Sequence, residues 1–131
     1  MIAMPSGQER VVVCLEDDPD LARLIQVTVR PWTKAFHVAY DGFHGLELIR
    51  RKQPALILLD LNLPGMNGLE VYAALQADPA LRHTPVIVLS ANHHEPPSQH
   101  APDALENVAA YITKPFSLTE LRDSVRPYLS P

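Results

Sequence analysis

With 131 residues, 47% of them hydrophobic, and 11 Lys and Arg set against 15 Asp and Glu, the chain has the make-up of one globular domain with a formal charge of −4. That balance argues against a nucleic-acid surface, which would be basic, and no apolar run approaches the length that crosses a bilayer. The lone Cys14 excludes an internal disulfide and Met1–Gly7 lack a basic start with an apolar stretch, so a cytoplasmic, soluble protein is expected.

Residues 1–9 read as a flexible leading segment and 10–130 as a single domain. Val11-Val12-Val13-Cys14-Leu15 is apolar at every position, which predicts a strand covered on both faces, with Cys14 in the core. Asp18 then caps a helix with Pro19 in its first turn; Leu21, Leu24, Ile25 and Thr28 are expected on its inner face. Pro31 should end that helix, with Trp32 packing at its end. Phe36-His37-Val38-Ala39 predicts a weaker strand nearer an edge. Asp41 caps a second helix with Leu46, Ile49 and Phe43 inward, which Gly45 weakens by about 1 kcal/mol relative to alanine.

Ala55-Leu56-Ile57-Leu58-Leu59 is a second continuous apolar run. Leu69, Tyr72, Ala73 and Leu75 give a third helix, stopped near Asp78-Pro79. Pro85-Val86-Ile87-Val88-Leu89 is another buried strand, its proline at the entrance where a missing N–H matters least. Between Asn92 and Pro102, three prolines (Pro96, Pro97 and Pro102) oppose a helix. Asp103-Ala104-Leu105-Glu106 could cap only a short one, ending by about Ala109. Tyr111-Ile112-Thr113 is a weak last strand. Ser117-Leu118-Thr119-Glu120 is a capping box for a final helix with Leu118, Leu121 and Val125 on one stripe, closed or kinked by Pro127.

Strands alternating with helices predict a parallel sheet with helices on both faces. Such sheets bind ligands beyond the carboxyl ends of their strands. Glu16, Asp17 and Asp18 follow the first strand, Asp60 the third, Ser90 the fourth and Lys114 the fifth. If the first and third strands are neighbours, Glu16, Asp17 and Asp60 converge on one pocket. Carboxylates that close raise one another's pKa unless a cation sits among them, and a small set of hard oxygen ligands suits Mg²⁺. Asp18 reads more simply as the helix cap.

Four segments, taken together and in this order, resemble bacterial response-regulator receiver domains of the chemotaxis-regulator-like kind. They are Leu15-Glu16-Asp17-Asp18-Pro19, Leu58 to Gly68 (Leu-Leu-Asp-Leu-Asn-Leu-Pro-Gly-Met-Asn-Gly), Leu89-Ser90-Ala91, and Tyr111-Ile112-Thr113-Lys114-Pro115-Phe116. The resemblance runs from about Val11 to Leu129. It implies an α/β, flavodoxin-like, doubly wound five-stranded parallel sheet in the order 2-1-3-4-5, with five helices. It also implies the phosphoacceptor of a two-component or phosphorelay system. Asp60 would be the nucleophile that takes the phosphoryl group from a sensor histidine kinase or histidine phosphotransfer protein. Asp17, Asp60 and the backbone carbonyl of Asn62 would bind Mg²⁺, with Glu16 acting through a bound water. Lys114 would pair with Asp60 and then with the phosphoryl group, Ser90 would bond another phosphoryl oxygen, and Tyr111 would be the switch aromatic. The Lys114-Pro115 bond would be cis. The chain would act as an enzyme only on itself and would signal to a downstream protein, with no direct contact to nucleic acid or membrane. A homodimer is compatible with this.

The resemblance is weakest between Ser90 and Lys114, where the fourth helix is expected to be short or irregular. His93, His94 and His100 fall in that proline-rich loop without cysteine partners or helical spacing, and read as solvated. Two rival readings differ in chemistry. An aspartate-nucleophile phosphatase-like enzyme would carry a second acid two residues after the nucleophile, where Asn62 stands. A phosphorylation-independent pseudo-receiver would not need the full set of Glu16, Asp17, Asp60, Ser90 and Lys114.

Overall fold

Strands and helices alternate as far as residue 90 in the computed structural model, which describes residues 10–91, 105 and 107–130. In chain order these are β1 (Val12–Leu15), α1 (Pro19–Val29), β2 (Phe36–Ala39), α2 (Gly42–Lys52), β3 (Leu56–Asp60), α3 (Gly68–Ala77), β4 (Val86–Ser90), β5 (Ala110–Thr113) and α4 (Leu118–Leu129). The strands form one parallel sheet in the order β2-β1-β3-β4-β5. This is the expected doubly wound arrangement. The expected short helix near 103–109, the loop with its histidines, and the leading segment 1–9 fall largely or wholly outside the described residues.

The three continuous apolar runs are the three central strands, buried at every position. Because pleated side chains alternate, each strand feeds two cores. Val13, Leu15, Ile57, Leu59 and Val88 pack with Ile49, Val71 and Leu75 on the α2–α3 side. Val12, Cys14, Leu58, Ile87 and Leu89 pack with Ile25, Leu121 and Val125 on the α1–α4 side, with Trp32 against that cluster.

The caps hold each helix in place. Asp18 accepts from the N–H groups of Asp20 and Leu21, Asp41 from that of His44, and Ser117 forms its capping box with Glu120. Some expected faces are corrected. Leu24, Phe43, Leu69 and Leu118 are exposed, and Ala73 with them. Each lies off the buried stripe by helical steps of about 100°: Ala22, Ile25 and Val29 in α1, Gly42, Gly45, Leu46 and Ile49 in α2, Gly68, Val71, Tyr72 and Leu75 in α3, and Leu121, Val125 and Leu129 in α4. Pro127 does not close α4, which runs on to Leu129 with Ser130 N–H donating to the Arg126 carbonyl at 2.9 Å.

Gly45 has a reason beyond its propensity. A Cβ there would lie 2.2 Å from Cδ2 of fully buried Leu15, so α2 sits directly on β1. The helix-propensity gain of about 1 kcal/mol for Gly45→Ala is outweighed by an overpacking cost of about 1–3 kcal/mol. The variant is therefore expected to unfold at lower urea than the wild type. An unchanged or higher midpoint would contradict this packing.

Candidate metal and phosphoryl site

The carboxyl end of the sheet gathers the acidic residues. Leu15 pairs in register with Leu59, so the residues that follow, Glu16 and Asp60, emerge side by side. The N–H of Glu16 donates to the Ala39 carbonyl at 3.0 Å, which extends the β1–β2 pairing past the last strand residue. Glu16 is fully buried, Asp60 is 2% exposed, and Asp17 is exposed at the rim. The three offer carboxylate oxygens lying within 4.8 Å of one another.

Lys114 reaches this group from the far strand. Thr113 pairs with Ser90 at the end of β4, and the Lys114 N–H donates to the Ser90 carbonyl at 2.6 Å. The Lys114-Pro115 peptide is cis, as the resemblance implied. The side chain crosses over β4, and Nζ donates to Glu16 Oε1 at 2.8 Å and to Asp60 Oδ2 at 3.0 Å. The sequence suggested only the pairing with Asp60; the shorter bond is to Glu16. Oδ1 of Asp60 accepts from the Asn62 N–H at 2.9 Å, and Oε2 of Glu16 from the Asp18 N–H at 3.1 Å. Ser90 is buried beside them. Tyr111 stands apart: two residues before Thr113 on β5, half-buried against the α2–α3 core.

Two glycines with no assigned role hold the loop that follows Asp60. A Cβ on Gly68 would meet the Asp60 carbonyl oxygen at 2.4 Å, and one on Gly42 would meet the Met66 carbonyl oxygen at 1.8 Å. Loop 61–67 is thus wedged between the first turns of α2 and α3. The α3 end is further fixed by a capping box between Asn67 and Glu70, and the Asn-x-x-Glu spacing in the sequence is its signal.

One ammonium serving two buried carboxylates, with a third at the rim, leaves surplus negative charge. Burial pushes Glu16 up to about 7, the Asp60 charge adds to this, and the bonds from Lys114 and the Asp18 N–H offset only part. Burial works against the Lys114 charge, but its bonds to Glu16 and Asp60 outweigh that and hold its pKa above the usual value. The donor set is all oxygen and anionic. Oxygens sharing one Mg²⁺ lie about 3–4 Å apart, so these three acids fit such an ion.

A pH dependence follows for the cation-free protein. The folded pKa of Glu16 lies above its unfolded value, so its contribution is complete below about pH 4.5 and is lost as pH rises through about 7. Urea melts in chelator are expected to show stability falling between about pH 5 and pH 8, less steeply in Glu16→Gln. Equal slopes in the two proteins would rule this out.

Comparison with known proteins places this geometry. The model of the response regulator receiver domain matches residues 12–126. The DNA-binding response regulator MtrA of Mycolicibacterium smegmatis is 35% identical over 127 residues, covering 96% of this chain and 53% of MtrA. The chain spans about half the length of the curated relatives it matches. The phosphorylated cyanobacterial phytochrome response regulator RcpA aligns with a TM-score of 0.78 and 32% identity, covering 93% of this chain and 95% of RcpA. The Mn²⁺-bound form of response regulator Rcp1 aligns with a TM-score of 0.77 and 27% identity, covering 92% of this chain and 95% of Rcp1. Matched along most of its length, and with its acids and lysine at the strand ends where the motifs put them, the chain belongs to the response regulator receiver domain family.

Proposed function

We propose that residues 10–130 act as the phosphoacceptor of a two-component system in the cytoplasm, with Asp60 as the residue that takes the phosphoryl group. The observation that carries this is Lys114 Nζ held between Glu16 and Asp60 at the carboxyl end of the sheet. The donor is a phosphohistidine on a sensor kinase or phosphotransfer protein. One Asp60 carboxylate oxygen forms a bond to phosphorus as the phosphorus–nitrogen bond breaks, and the departing imidazole takes up a proton. The Asn62 N–H and Lys114 keep the Asp60 carboxylate from turning. Lys114 meets an incoming phosphoryl oxygen as a point charge, and the Ser90 hydroxyl donates to another.

Asp17, Asp60 and the Asn62 carbonyl are the residues to hold Mg²⁺, with Glu16 acting through water. When bound, the ion neutralises charge on the phosphoryl oxygens. Tyr111 and Ser90 form the switch: Ser90 moves toward the new group and the Tyr111 ring repacks behind it. Carrying such a switch from 1:99 to 99:1 takes about 5.5 kcal/mol, within reach of a few charge-assisted hydrogen bonds at about 1.5–3 kcal/mol each. The chemistry acts on the domain itself, and the signal passes to a protein partner. Among the described residues no helix is long and apolar enough to cross a membrane.

The test is mass spectrometry after incubation with acetyl phosphate and Mg²⁺. The expected result is a gain of one phosphoryl group, dependent on the cation and mapped to the peptide that contains Asp60. No gain, or a gain elsewhere, would sink the proposal.

A further inference from the structure

Charge on this domain is sorted along the strand direction. At the carboxyl end of the sheet, Glu16, Asp17 and Asp18 follow β1, Asp41 stands between β2 and α2, and Asp60 ends β3. Asp20, Glu70 and Glu120 stand there too, in the first turns of α1, α3 and α4. Among the described residues Lys114 is the one Lys or Arg at that end. At the opposite end, Arg10, Lys34 and Arg82 precede β1, β2 and β4, Arg30 caps α1, and Arg50, Arg51 and Lys52 make the last turn of α2. The acid described there is Asp78, whose carboxylate accepts from the Ala80 N–H at 2.9 Å. Arg23, Glu47, Arg122, Asp123 and Arg126 lie on the helix flanks between the two ends.

Some of this ordering suits the helices themselves, since acids favour a helix N-terminus and cations a C-terminus. That does not account for Arg10, Lys34 and Arg82, which lead into strands, or for Glu16 and Asp60, which come where strands finish. Among the described residues carboxylates pair with His44, Lys114 and Arg126. Arg30, Arg50, Arg51, Lys52 and Arg82 are exposed with no carboxylate partner among those residues. Lys34 has a partner, and Arg10 donates to the Tyr128 carbonyl at 2.8 Å. The positive field reaches inward: burial first, then the charges of Lys52 and Arg51, hold the His37 imidazole below its ordinary pKa.

We propose that this basic end docks on the acidic end of a second copy of the chain, head to tail. Single elements already carry the complementarity. β1 runs from Arg10 to Asp17, α1 from Asp20 to Arg30, α2 from Asp41 to Lys52, and the α3 segment from Glu70 to Arg82. A copy shifted along the strand axis therefore sets each basic loop over the acid of the same element. Neither a phosphate backbone nor a lipid surface calls for that alignment.

Size and screening permit the contact. Five strands about 4.8 Å apart with a helix layer on each face give an end of roughly 24 by 30 Å. Two such ends, fully apposed, would bury about 1,400 Å², within the range of specific interfaces. The formal charge of −4 opposes association. At about 0.1 M salt, however, the screening length of about 10 Å is shorter than the 11-residue α2 at about 17 Å, so approaching copies meet the local charge first. The contact is heterologous, so added copies extend a stack and leave one free end of each kind. The covered end is the one proposed to take the phosphoryl group, and a stacked copy would keep it closed. The contact itself does not rest on that role.

Sedimentation velocity of the full chain, in chelator at about 0.1 M salt, provides the test. The weight-average mass should rise between about 10 μM and about 1 mM chain. At about 1 M salt, where the screening length falls to about 3 Å, it should return to that of one chain. Arg51→Glu with Lys52→Glu and Arg82→Glu should weaken association at least about tenfold, and so should Asp17→Lys with Asp20→Lys. An equimolar mixture of these two variants should recover it, because the intact acidic end of the first meets the intact basic end of the second. Circular dichroism checks that both are folded. If either is not, Lys52→Gln with Arg82→Gln, or Asp20→Asn, takes its place and should weaken association in the same direction. A single-chain mass at about 1 mM, association that survives about 1 M salt, or no recovery in the mixture would overturn the proposal. So would tighter binding of the basic end to single-stranded DNA or to phosphatidylserine vesicles than to the chain itself.

Discussion

Asparagine in place of Asp60 is expected to leave the fold intact and phosphoryl uptake undetectable. The amide keeps the shape of the carboxylate, and its oxygen can still accept from Lys114 or from the Asn62 N–H, which now hold opposite sides of the carboxyl group. What it loses is the anionic oxygen that, in the proposed role, would attack phosphorus. The substitution also removes one of the charges that hold Glu16 high. Glu16 should therefore titrate lower, and the fall in stability between about pH 5 and pH 8 should become shallower. Two measurements check this: intact mass after acetyl phosphate and Mg²⁺, and urea melts across that pH range. Uptake at a tenth of the wild-type rate, with the modification still in the same peptide, would mean that another residue is the acceptor.

Lys114→Met should have the largest effect on stability. It leaves Glu16 and Asp60 buried together with no cation between them, and removing one partner of a buried ion pair costs about 3–5 kcal/mol. The Lys114 side chain is 20% exposed, so solvent can compensate in part and a loss of about 3 kcal/mol is expected in chelator. That is a large share of the 5–15 kcal/mol typical of a domain. A divalent cation should recover much of it, since an ion at a hundred times its dissociation constant contributes about 2.7 kcal/mol. The variant should also bind Mg²⁺ more tightly than the wild type, because the competing positive charge is gone, while taking up phosphate more slowly. Equal stability of the two proteins in chelator would show that the lysine does not carry this charge balance.

The fold was legible wherever the physics is local. Short runs apolar at every position suit strands covered on both faces, and Val12–Leu15, Leu56–Asp60 and Val86–Ser90 are the central strands. Caps such as Asp18, Asp41 and Ser117 were readable because the bonding partner lies two or three residues away. The inner faces of helices were less so. Leu24, Phe43, Leu69 and Leu118 are apolar, but hydrophobicity does not say which of two adjacent helical positions turns toward the sheet. At the site, Glu16, Asp17, Asp60 and Lys114 lie together as their strand ends required, while Tyr111 does not join them. What sequence could not give was distance: that Lys114 lies nearer Glu16 than Asp60, or that Gly42 and Gly68 have no room for a methyl group.

Those two glycines make the Asp60 side of the sheet stiff. A loop bolted at both ends to helices has nowhere to travel unless the helices go with it, and both helices are themselves seated on the core. Whatever deformation follows modification of Asp60 should therefore be taken up on the opposite flank, along β4 and β5, where Ser90 and Tyr111 lie. The domain would work as a lever with one clamped arm, and the message would leave from the arm that yields.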